Sequence, residues 1–353
     1  MNVYQHLDEL KDSDGVGNDA IGLHHQFLSL GWKSNFITRI PRVGSSIDGS
    51  HFYQTTDIIK FQSSDLHILH YGGHGYPIKV FIDAPGKKIL RFHNVTPAIF
   101  YNQTTSPEIF NSMLRFESVS YLEIATLSII CDAAWCDSPF NAYTIQSFDF
   151  KNLFVLPICK KYSIKPRLTK DKTNFDICFV GRFAPQKKWE DLIDFFSNWH
   201  QVYPQSNLYC VGSVIGAFDG YFERLQKRVT DHHLGSKVHF LTGQTDSQVI
   251  DVMHKSFAMV SMSEHEGFCL PLLEAFGSDL PVFAFDACAI KTTMKGAGVL
   301  FDSKDYRSLT DVIGKYTKDE QLIDKLLSKQ REVIEEYNTY PWIRTLPFLV
   351  SQL

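Results

Sequence analysis

The stretch Phe257–Phe276, FAMVSMSEHEGFCLPLLEAF, decides the fold that the rest of the chain has to accommodate. Its first six residues form an apolar run that is typical of a short buried strand and is too short for a helix. Polar residues and Gly267 follow, and Pro271 then opens a second apolar segment, as proline does in the first turn of a helix. The stretch therefore predicts a strand, a tight glycine turn and a helix.

The turn within this stretch has the chemistry of an anion-binding site. Four successive residues would offer backbone N–H groups at the positive end of the helix: Gly267, Phe268, Cys269 and Leu270. Glu266 and Glu274 stand on either side, and a carboxylate accepts two hydrogen bonds from a vicinal diol such as those of sugars. The pattern indicates a nucleotide-sugar site, and the alternative is an ordinary strand–helix unit with solvated glutamates.

These residues resemble a known family, the retaining glycosyltransferases of family 4 (glycosyl transferases group 1), which have the GT-B architecture. The family signature has two glutamates with seven residues between them, and SEHEGFCLPLLEAF matches it. The resemblance implies an α/β protein of two Rossmann-like domains whose parallel sheets face an interdomain cleft. It also implies transfer of a hexose from a nucleotide diphosphate with retention at the anomeric carbon.

Length and composition limit the number of domains and the classes of protein to which the chain can belong. A chain of 353 residues exceeds what one hydrophobic core usually supports, so two domains are expected. The net charge of −4 is not that of a polycation, and we expect no nucleic-acid partner. Seven cysteines without metal-ligand spacing predict reduced thiols in a cytoplasmic protein, and the start MNVYQHL lacks the features of a signal peptide.

The chain divides into four predicted parts. Residues 1–158 are expected to form an N-terminal Rossmann-like domain that binds the acceptor, and residues 175–335 a C-terminal Rossmann-like domain that binds the nucleotide sugar. Residues 159–174 are rich in lysine and arginine and are typical of an exposed linker, whose charge leaves peripheral association with the inner face of the cytoplasmic membrane open. In the resembled fold the last segment returns to the first domain, and the aromatic tail 336–353 suits that role.

Two glycines follow the first predicted strand, Val3–Leu7. Gly15 and Gly17 are expected on the turn between this strand and the next helix, where missing side chains let a ligand approach the backbone. The alternative is a plain tight turn. The segment resembles the glycine-rich first loop of the family, which implies that both glycines face the donor. Residues 12–14 have the form Asp-x-Asp of a metal site in transferases of another fold, and we expect no metal there.

Two histidines follow predicted strands of the first domain. His70 ends the strand 66–71 and His93 follows the strand 89–92, at the edge where ligands gather in open α/β sheets. A single histidine in this position is often structural. The segment RFHNVTP, however, resembles the family segment whose histidine reaches the donor sugar, so His93 is the predicted catalytic residue. Residues 108–133 predict a scaffold helix.

The second domain opens with FDICFVGRFAPQKKWEDL, which predicts a buried strand, a turn at Gly181 and a helix. Arg182 and Lys187 lie on the loop, and a guanidinium with an ammonium can neutralise a diphosphate. The alternative is ordinary surface charge. The segment resembles the arginine–lysine motif of the family, in which both residues hold the nucleotide diphosphate. Gly243, after the strand 238–241, resembles the loop that borders the nucleobase.

The resemblance also implies a role for each charged residue. Arg182 and Lys187 would stabilise the departing diphosphate, Glu266 would position sugar hydroxyls, Glu274 would bind the ribose diol and His93 would hydrogen-bond the hexose. No carboxylate nucleophile is evident, so front-face attack is expected, with the leaving phosphate accepting the proton of the acceptor. No cofactor and no metal are required, because the cations and the helix end stabilise the developing charge.

Several functional alternatives stay open. A nucleotide-sugar-binding partner subunit without transferase activity would keep the same donor residues, and so would a nucleotide-sugar epimerase of GT-B fold. A dinucleotide oxidoreductase is disfavoured, because no G-x-G-x-x-G follows the first strand. His265 before Glu266 favours GDP-mannose as donor by resemblance. A glycan or a lipid-linked glycan of a bacterial surface polysaccharide is the expected acceptor.

Overall fold

The computed structural model describes residues 1–11, 14–41, 47–102, 104–165 and 175–353. These residues form two compact α/β units. Unit 1 comprises Met1–Pro97, Leu114–Lys161 and Tyr337–Leu353, and unit 2 comprises Ala98–Met113 and Tyr162–Glu336.

Unit 1 is built on a seven-stranded sheet whose paired strands are all parallel. Its strands are β1 (Asn2–Leu7), β2 (Lys33–Thr38), β3 (Phe52–Gln54), β4 (Leu66–Tyr71), β5 (Lys87–Phe92), β6 (Ala133–Cys136) and β7 (Leu153–Val155). They lie in the order β3-β2-β1-β4-β5-β6-β7. The connecting helices are α1 (Gly15–Ser29), α2 (Ile78–Asp83), α3 (Pro107–Ile130) and α4 (Pro139–Ile145). Helices that join parallel strands in this way cover both faces of the sheet.

Alternate residues of the central strands supply two cores, one on each face of the sheet. Ile68 and Ile89 pack on the side of α1, whereas their neighbours Leu69 and Leu90 pack on the side of α3. Because both faces are covered, these strands are almost continuously apolar, which is why their positions could be predicted from sequence.

Strand β6 was not predicted. The expected helix 108–133 ends at Ile130, and Ala133–Cys136 forms a central strand of the sheet. A continuous apolar run does not distinguish a buried strand from a buried helix. The distinction comes from tertiary pairing, since the N–H of Asp132 donates to the carbonyl of Lys88 at 2.8 Å and starts the ladder with β5.

Unit 2 has a six-stranded sheet, also with all paired strands parallel. Its strands are β8 (Ile177–Val180), β9 (Leu208–Gly212), β10 (Val238–Thr242), β11 (Ala258–Ser261), β12 (Val282–Phe285) and β13 (Val299–Phe301). They lie in the order β10-β9-β8-β11-β12-β13. The helices are α5 (Trp189–Val202), α6 (Asp219–Asp231), α7 (Asp246–Lys255), α8 (Leu270–Gly277), α9 (Ile290–Met294), α10 (Tyr306–Lys318) and α11 (Glu320–Asn338). The predicted class, α/β with two Rossmann-like units, is confirmed.

The last helix, α12 (Trp342–Ser351), belongs to unit 1. Its buried Trp342, Leu346 and Leu349 pack in the same core as Val3 and Phe27. The tail thereby covers one face of the first sheet. Among the helices that the structure describes, none combines the length and the apolar character needed to cross a bilayer.

One long segment of the predicted first domain belongs to the other unit. Ala98–Met113 groups with unit 2, where the ring of Tyr101 stacks on Phe218 at 5.3 Å between centroids. In the predicted linker 159–174, Cys159 and Tyr162 are buried, although Lys161 is exposed. Residues 166–174 lie outside the described residues. All seven cysteines are free thiols, six of them buried.

Acid is expected to destabilise unit 1 through His24. This residue of α1 lies between the rings of Phe36 and His51, at 5.1 and 4.9 Å between centroids. Burial, with the charges of His51 and His25, lowers the pKa of His24 to about 4. An unfolded histidine titrates near 6.5, so the unfolded state alone takes up this proton between about pH 6.5 and pH 4, and stability falls across that window.

We expect His24→Phe to make that acid-dependent loss shallower, because phenylalanine fits among the rings and binds no proton. The measurement is the urea midpoint at several pH values between 8 and 4.5. His25→Phe is the matched control, since His25 is adjacent and exposed, and its pH dependence should stay close to that of the wild type. If the urea midpoint fell equally steeply with decreasing pH in both variants, the acid-dependent loss of stability could not be assigned to His24.

Candidate functional site

The carboxyl ends of β8 and β11 lie side by side, because these two strands pair in the sheet of unit 2. The next strand along the chain lies on the outer side of each, β9 beside β8 and β12 beside β11. In open α/β sheets ligands bind where the strand order reverses in this way. The loop with Arg182 and Lys187 follows β8, and the turn with Glu266 follows β11. We call residues 181–188 and 263–270 together the switch-point site.

An ion pair joins the two halves of the switch-point site. Lys187 Nζ donates to Glu266 Oε1 at 2.6 Å and to Oε2 at 2.7 Å. The Lys187 side chain is 13 % exposed and that of Glu266 is 6 % exposed. The carboxylate therefore fixes the position of an ammonium group that still borders the surface, where it can meet an anion.

Main-chain contacts hold the two loops against each other. Pro185–Lys187 form a 3-10 turn, and the carbonyl of Gln186 accepts the N–H of Glu264 at 3.0 Å. Lys188 has a left-handed φ of 53°, and its Nζ lies 3.4 Å from a carboxylate oxygen of Glu264. The two lysines thus have different partners, and Lys187 is the one that pairs with Glu266.

The turn before α8 presents backbone amides. Cys269 has a left-handed φ of 71° and immediately precedes the helix. Among the residues that the structure describes, the N–H groups of Gly267, Cys269 and Leu270 have no hydrogen-bond partner. The opposite side of the turn is fixed, because Thr293 Oγ1 donates to the Phe268 carbonyl at 2.7 Å. The turn can therefore donate to an anion without rearranging.

Gly181 and Arg182 begin the loop after β8. A side chain at Gly181 would contact Lys187 Cε at 3.7 Å, so the lysine stem runs beside this glycine. The Arg182 guanidinium is exposed and makes no ion pair within the described part of the chain. Gly212, at the end of β9, was not predicted as a site residue. A Cβ there would lie 1.9 Å from the Gly181 carbonyl oxygen, so the loop can take this path only beside a glycine.

Glu274 and Gly243 occupy different places relative to these loops. Glu274 is half-buried in α8, one turn into the helix that the amide turn begins. Gly243 follows β10 at the edge of the sheet, with a φ of 68°. Strand β10 is two strands from β8, which is roughly 10 Å at the usual strand spacing. The structure therefore brings together every predicted donor residue of unit 2 except Gly243.

His265 contributes a neutral ring to the switch-point site. Burial lowers its pKa to about 4; the Glu266 carboxylate opposes this shift and Lys187 adds to it. Its Nδ1 lies 3.7 Å from Cys288 Sγ, and its ring lies 5.6 Å from that of Phe100 between centroids. At neutral pH the imidazole can contact a ligand and form hydrogen bonds, but it carries no charge.

In unit 1 the predicted glycine turn is the start of a helix. Gly15 is the first residue of α1, and Asp14 Oδ1 accepts the N–H of Gly17 at 2.6 Å as the N-cap. A Cβ on Gly17 would lie 1.7 Å from the Lys11 carbonyl oxygen. Close backbone packing thus explains the glycine at 17, and the structure corrects the expectation that both glycines lie on the turn before the helix. The Asp-x-Asp pattern at 12–14 falls mostly outside the described residues.

A buried ion pair lies beneath the carboxyl ends of the strands of unit 1. Arg91 donates to both oxygens of Asp19, at 2.7 and 2.9 Å, with both side chains at most 1 % exposed. Arg91 also donates to the carbonyls of Leu156 and Pro157, and the N–H of Cys159 donates to Asp19. Burial raises the pKa of Asp19, but Arg91 outweighs burial and brings the pKa to about 2. Asp19 is therefore ionised at neutral pH.

His93 lies beside this pair with both ring nitrogens engaged. Its Nε2 lies 3.0 Å from His70 Nδ1, and its Nδ1 lies 3.3 Å from Asp137 Oδ2. The His93 side chain is only 3 % exposed. The ring-to-hexose hydrogen bond that the resemblance implies would require one of these two bonds to break.

Asp19, His70 and His93 bring possible metal-ligand atoms within 4.8 Å of one another. The Asp19 carboxylate is already engaged by Arg91, and the two imidazole rings share a hydrogen bond. Ion pairing and hydrogen bonding therefore account for this cluster without a metal. That the chain requires no metal stays a prediction.

Sequence reasoning missed three polar residues of the buried network around His93. Gln5, Arg91 and Asp137 lie in or directly after strands β1, β5 and β6. The sequence contained a signal of this network, because Gln5 and Arg91 interrupt apolar strands that are otherwise buried on both faces. Buried polar side chains require partners, and such interruptions at neighbouring strands indicate a shared network.

The family model described as Glycosyl transferases group 1 matches residues 160–338. Among curated proteins, the chain is 27% identical over 250 residues to poly(glycerol-phosphate) alpha-glucosyltransferase of Bacillus subtilis (strain 168), covering 70% of this chain and 34% of that protein. It is 29% identical over 171 residues to the O-antigen chain mannosyltransferase RfbU of Salmonella typhimurium (strain LT2), covering 48% of this chain and 43% of that protein. The matched regions thus span less than half the length of each of these two relatives.

Among solved structures, the chain is similar to the crystal structure of TarM, with a TM-score of 0.76 and 13% sequence identity. The similarity covers 99% of this chain and 98% of that one. At such low identity the comparison shows the fold alone. The fold is that of the GT-B proteins, and this part of the prediction is confirmed.

Proposed function

Because this chain belongs to the glycosyl transferases group 1 family, we propose that it is a retaining hexosyltransferase that uses a nucleotide-diphosphate sugar as donor. The single observation that carries this proposal is the convergence of Lys187, Glu266 and the unpaired amides of Gly267, Cys269 and Leu270 at the switch-point site. A cation and free N–H groups suit a diphosphate, and a carboxylate suits sugar hydroxyls.

The proposed mechanism stabilises the charge that develops on the leaving diphosphate. Lys187 Nζ is held in place by Glu266 before any anion arrives, so little reorganisation is needed when the glycosidic bond breaks. Arg182 is exposed and adds a second cation on the same loop. Preorganised groups aimed at developing charge usually make the largest catalytic contribution.

The carboxylates of the switch-point site bind the donor in this proposal. Glu266 orients the hexose hydroxyls, and Glu274 binds the ribose diol one helical turn away. Attack occurs on the same face as departure, and the leaving phosphate accepts the proton of the acceptor hydroxyl. The positive charges of the site replace a metal ion, so we propose that transfer needs no added metal or cofactor.

The proposed acceptor is a glycan or a lipid-linked glycan of a bacterial surface polysaccharide, with the protein on the cytoplasmic side of the membrane. The two relatives support this class, since one acts on poly(glycerol-phosphate) and the other on the O-antigen chain. One is a glucosyltransferase and the other a mannosyltransferase, so glucose and mannose are both candidate sugars, and His265 favours mannose by resemblance.

Thermal-shift screening against UDP-glucose, UDP-N-acetylglucosamine and GDP-mannose tests the donor site, because a ligand that binds the native state raises its stability. We expect Glu274→Ala to lose the shift that the preferred donor causes in the wild type. Glu332→Ala is the control, since Glu332 is an exposed glutamate of α11 outside the site. A full shift in Glu274→Ala would remove Glu274 from the donor site.

The same donors separate the proposed transferase from its alternatives. Incubation without acceptor should give slow hydrolysis of the donor, and addition of acceptor should give a product with retained anomeric configuration. A donor that binds without either reaction would favour a binding subunit. An epimerised nucleotide sugar would favour an epimerase.

A further inference from the structure

Two pairs of buried histidines in unit 1 differ in how their hydrogen-bond chains end. One pair, His6 and His67, ends at a hydroxyl, and the other, His70 and His93, ends at a carboxylate. A hydroxyl can donate a hydrogen bond, whereas a carboxylate can only accept one. This difference fixes the protonation of each pair.

In the His6–His67 chain every hydrogen bond can form with both rings neutral. His67 Nε2 lies 3.0 Å from the Pro85 carbonyl, which can only accept, so this nitrogen carries a hydrogen. Burial lowers the pKa of His67 to about 4, so its Nδ1 is a free lone pair that accepts from His6 Nε2 at 3.0 Å. The lone pair on His6 Nδ1 accepts from the Tyr76 hydroxyl at 2.7 Å. Every nitrogen is satisfied without a charge.

The His70–His93 chain begins in the same way. The Ala20 carbonyl accepts from Gln5 Nε2 at 3.0 Å, which turns Gln5 Oε1 toward His70 Nε2 at 2.8 Å. His70 therefore carries its hydrogen on Nε2. Burial lowers the pKa of His70 to about 3, so its Nδ1 is a lone pair that accepts from His93 Nε2 at 3.0 Å. The Nε2 of His93 is thus protonated.

The His70–His93 chain ends at a carboxylate, whereas the His6–His67 chain ends at a hydroxyl. His93 Nδ1 faces Asp137 Oδ2 at 3.3 Å, so one of the two must supply a hydrogen. In model peptides histidine holds a proton roughly 400-fold more tightly than aspartate, from reference values of about 6.5 and 3.9. Asn141 Nδ2 donates to the other oxygen of Asp137, which favours the ionised carboxylate. Asp19 Oδ2 lies 3.7 Å from His93 Nε2 and also favours the cation.

We propose that Asp137 holds His93 as a doubly protonated imidazolium, so that His93 acts as a fixed positive charge and not as a proton acceptor. The part that concerns turnover rests on the proposed glycosyl transfer. Three groups face His93: Asp19 from α1, His70 from β4 and Asp137 after β6. Arg91 of β5 joins the cluster through its ion pair with Asp19. Asp19 and Asp137 are negative and Arg91 and His93 are positive, so the buried cluster is neutral, as burial requires. Asp137 is a positioning residue in this scheme.

Nitrogen NMR of protein labelled with ¹⁵N-histidine tests the protonation directly. The His93 signals are assigned as those lost in His93→Gln. At neutral pH we expect both ring nitrogens of wild-type His93 to have the similar chemical shifts of protonated nitrogens. In Asp137→Asn the new amide can donate to Nδ1, so His93 should become neutral, with two widely separated shifts. A wild-type His93 that lacks a proton on either ring nitrogen would overturn the proposal, and this outcome does not depend on the folding of Asp137→Asn.

The His6 chain supplies the matched control. His6 should give the spectrum of a neutral ring both in the wild type and in Tyr76→Phe, because its chain has no carboxylate. For turnover, Asp137→Asn should lower kcat about 100-fold while the donor-induced thermal shift is kept, which a general loss of structure would not produce. Unchanged kcat with a neutral His93 would overturn the role of the charge. Absence of transfer by the wild type would instead contradict the proposed function, with the spectra still deciding the protonation.

Discussion

Lys187→Met is expected to lower turnover by about 100- to 1,000-fold, the usual effect of removing one preorganised group that stabilises transition-state charge. Methionine keeps an unbranched, largely apolar side chain that can lie beside Gly181 and removes only the ammonium. The measurement is kcat with the preferred donor at saturation. Turnover within a few-fold of the wild type would remove Lys187 from the charge-stabilising set.

Because Lys187 forms an ion pair with Glu266, the stability of Lys187→Met must be measured together with its kcat. Lys187→Met leaves a carboxylate that is 6 % exposed without its cation, so the variant should also unfold at lower urea concentration. The double variant Lys187→Met/Glu266→Gln removes that unpaired charge and should recover stability while turnover stays low. Recovery of turnover together with stability would show that Lys187 has a structural role only.

Lys304→Met is the matched control for this experiment. The Lys304 ammonium is 17 % exposed, close to the 13 % of Lys187, and it pairs with Glu264 of the same loop. Its loss should affect stability to a similar degree and leave kcat within a few-fold of the wild type. Equal losses of kcat in the two variants would indicate disturbance of the loop and not the loss of a specific cation.

Arg91→Met should destabilise unit 1 by about 3–5 kcal/mol, because it leaves the Asp19 carboxylate buried without a cation. Two carbonyls, those of Leu156 and Pro157, also lose their donor. The measurement is the free energy of unfolding from urea denaturation, taken from the transition that the substitution shifts, since two units can unfold separately.

Arg39→Met provides the comparison. Arg39 binds Asp8 through the same two-pronged geometry, at 2.5 and 2.9 Å, but the side chains are 46 % and 40 % exposed. Solvent screens such a pair, so its loss should cost less than about 1 kcal/mol. Similar losses in the two variants would show that burial of the Asp19 pair adds nothing to its effect.

Sequence patterns predicted the strand–turn–helix segments of the switch-point site well, because these patterns are local. Lys187 and Glu266 each lie in a short strand–turn–helix motif, where glycine, proline and charged residues have fixed spacings. The end of each strand and the order of residues on each loop follow from such spacing. That two motifs 79 residues apart share one ion pair follows only from the pairing of β8 with β11.

Unit 1 was less predictable, because its polar contacts join residues that are distant in the sequence. Gly15 and Gly17 were placed on a turn, yet the N-cap by Asp14 starts the helix at Gly15. Strand β6 was not predicted, and its first residue, Ala133, was assigned to the preceding helix, since a continuous apolar run carries no periodicity that separates a strand from a helix. His93 was predicted from its segment, but nothing in that segment shows that Asp137 is its neighbour.

The sequence by itself determined the α/β class, the parallel strands and the residues that form the switch-point site, because apolar periodicity and turn chemistry act over a few neighbouring residues. Only the tertiary structure decided which charges meet. Arg91 and Asp19 lie 72 residues apart, and His93 and Asp137 lie 44 apart, yet both pairs are excluded from water within unit 1. In such surroundings the energy of a charge depends on its exact neighbours across the strands, and local sequence does not contain that information.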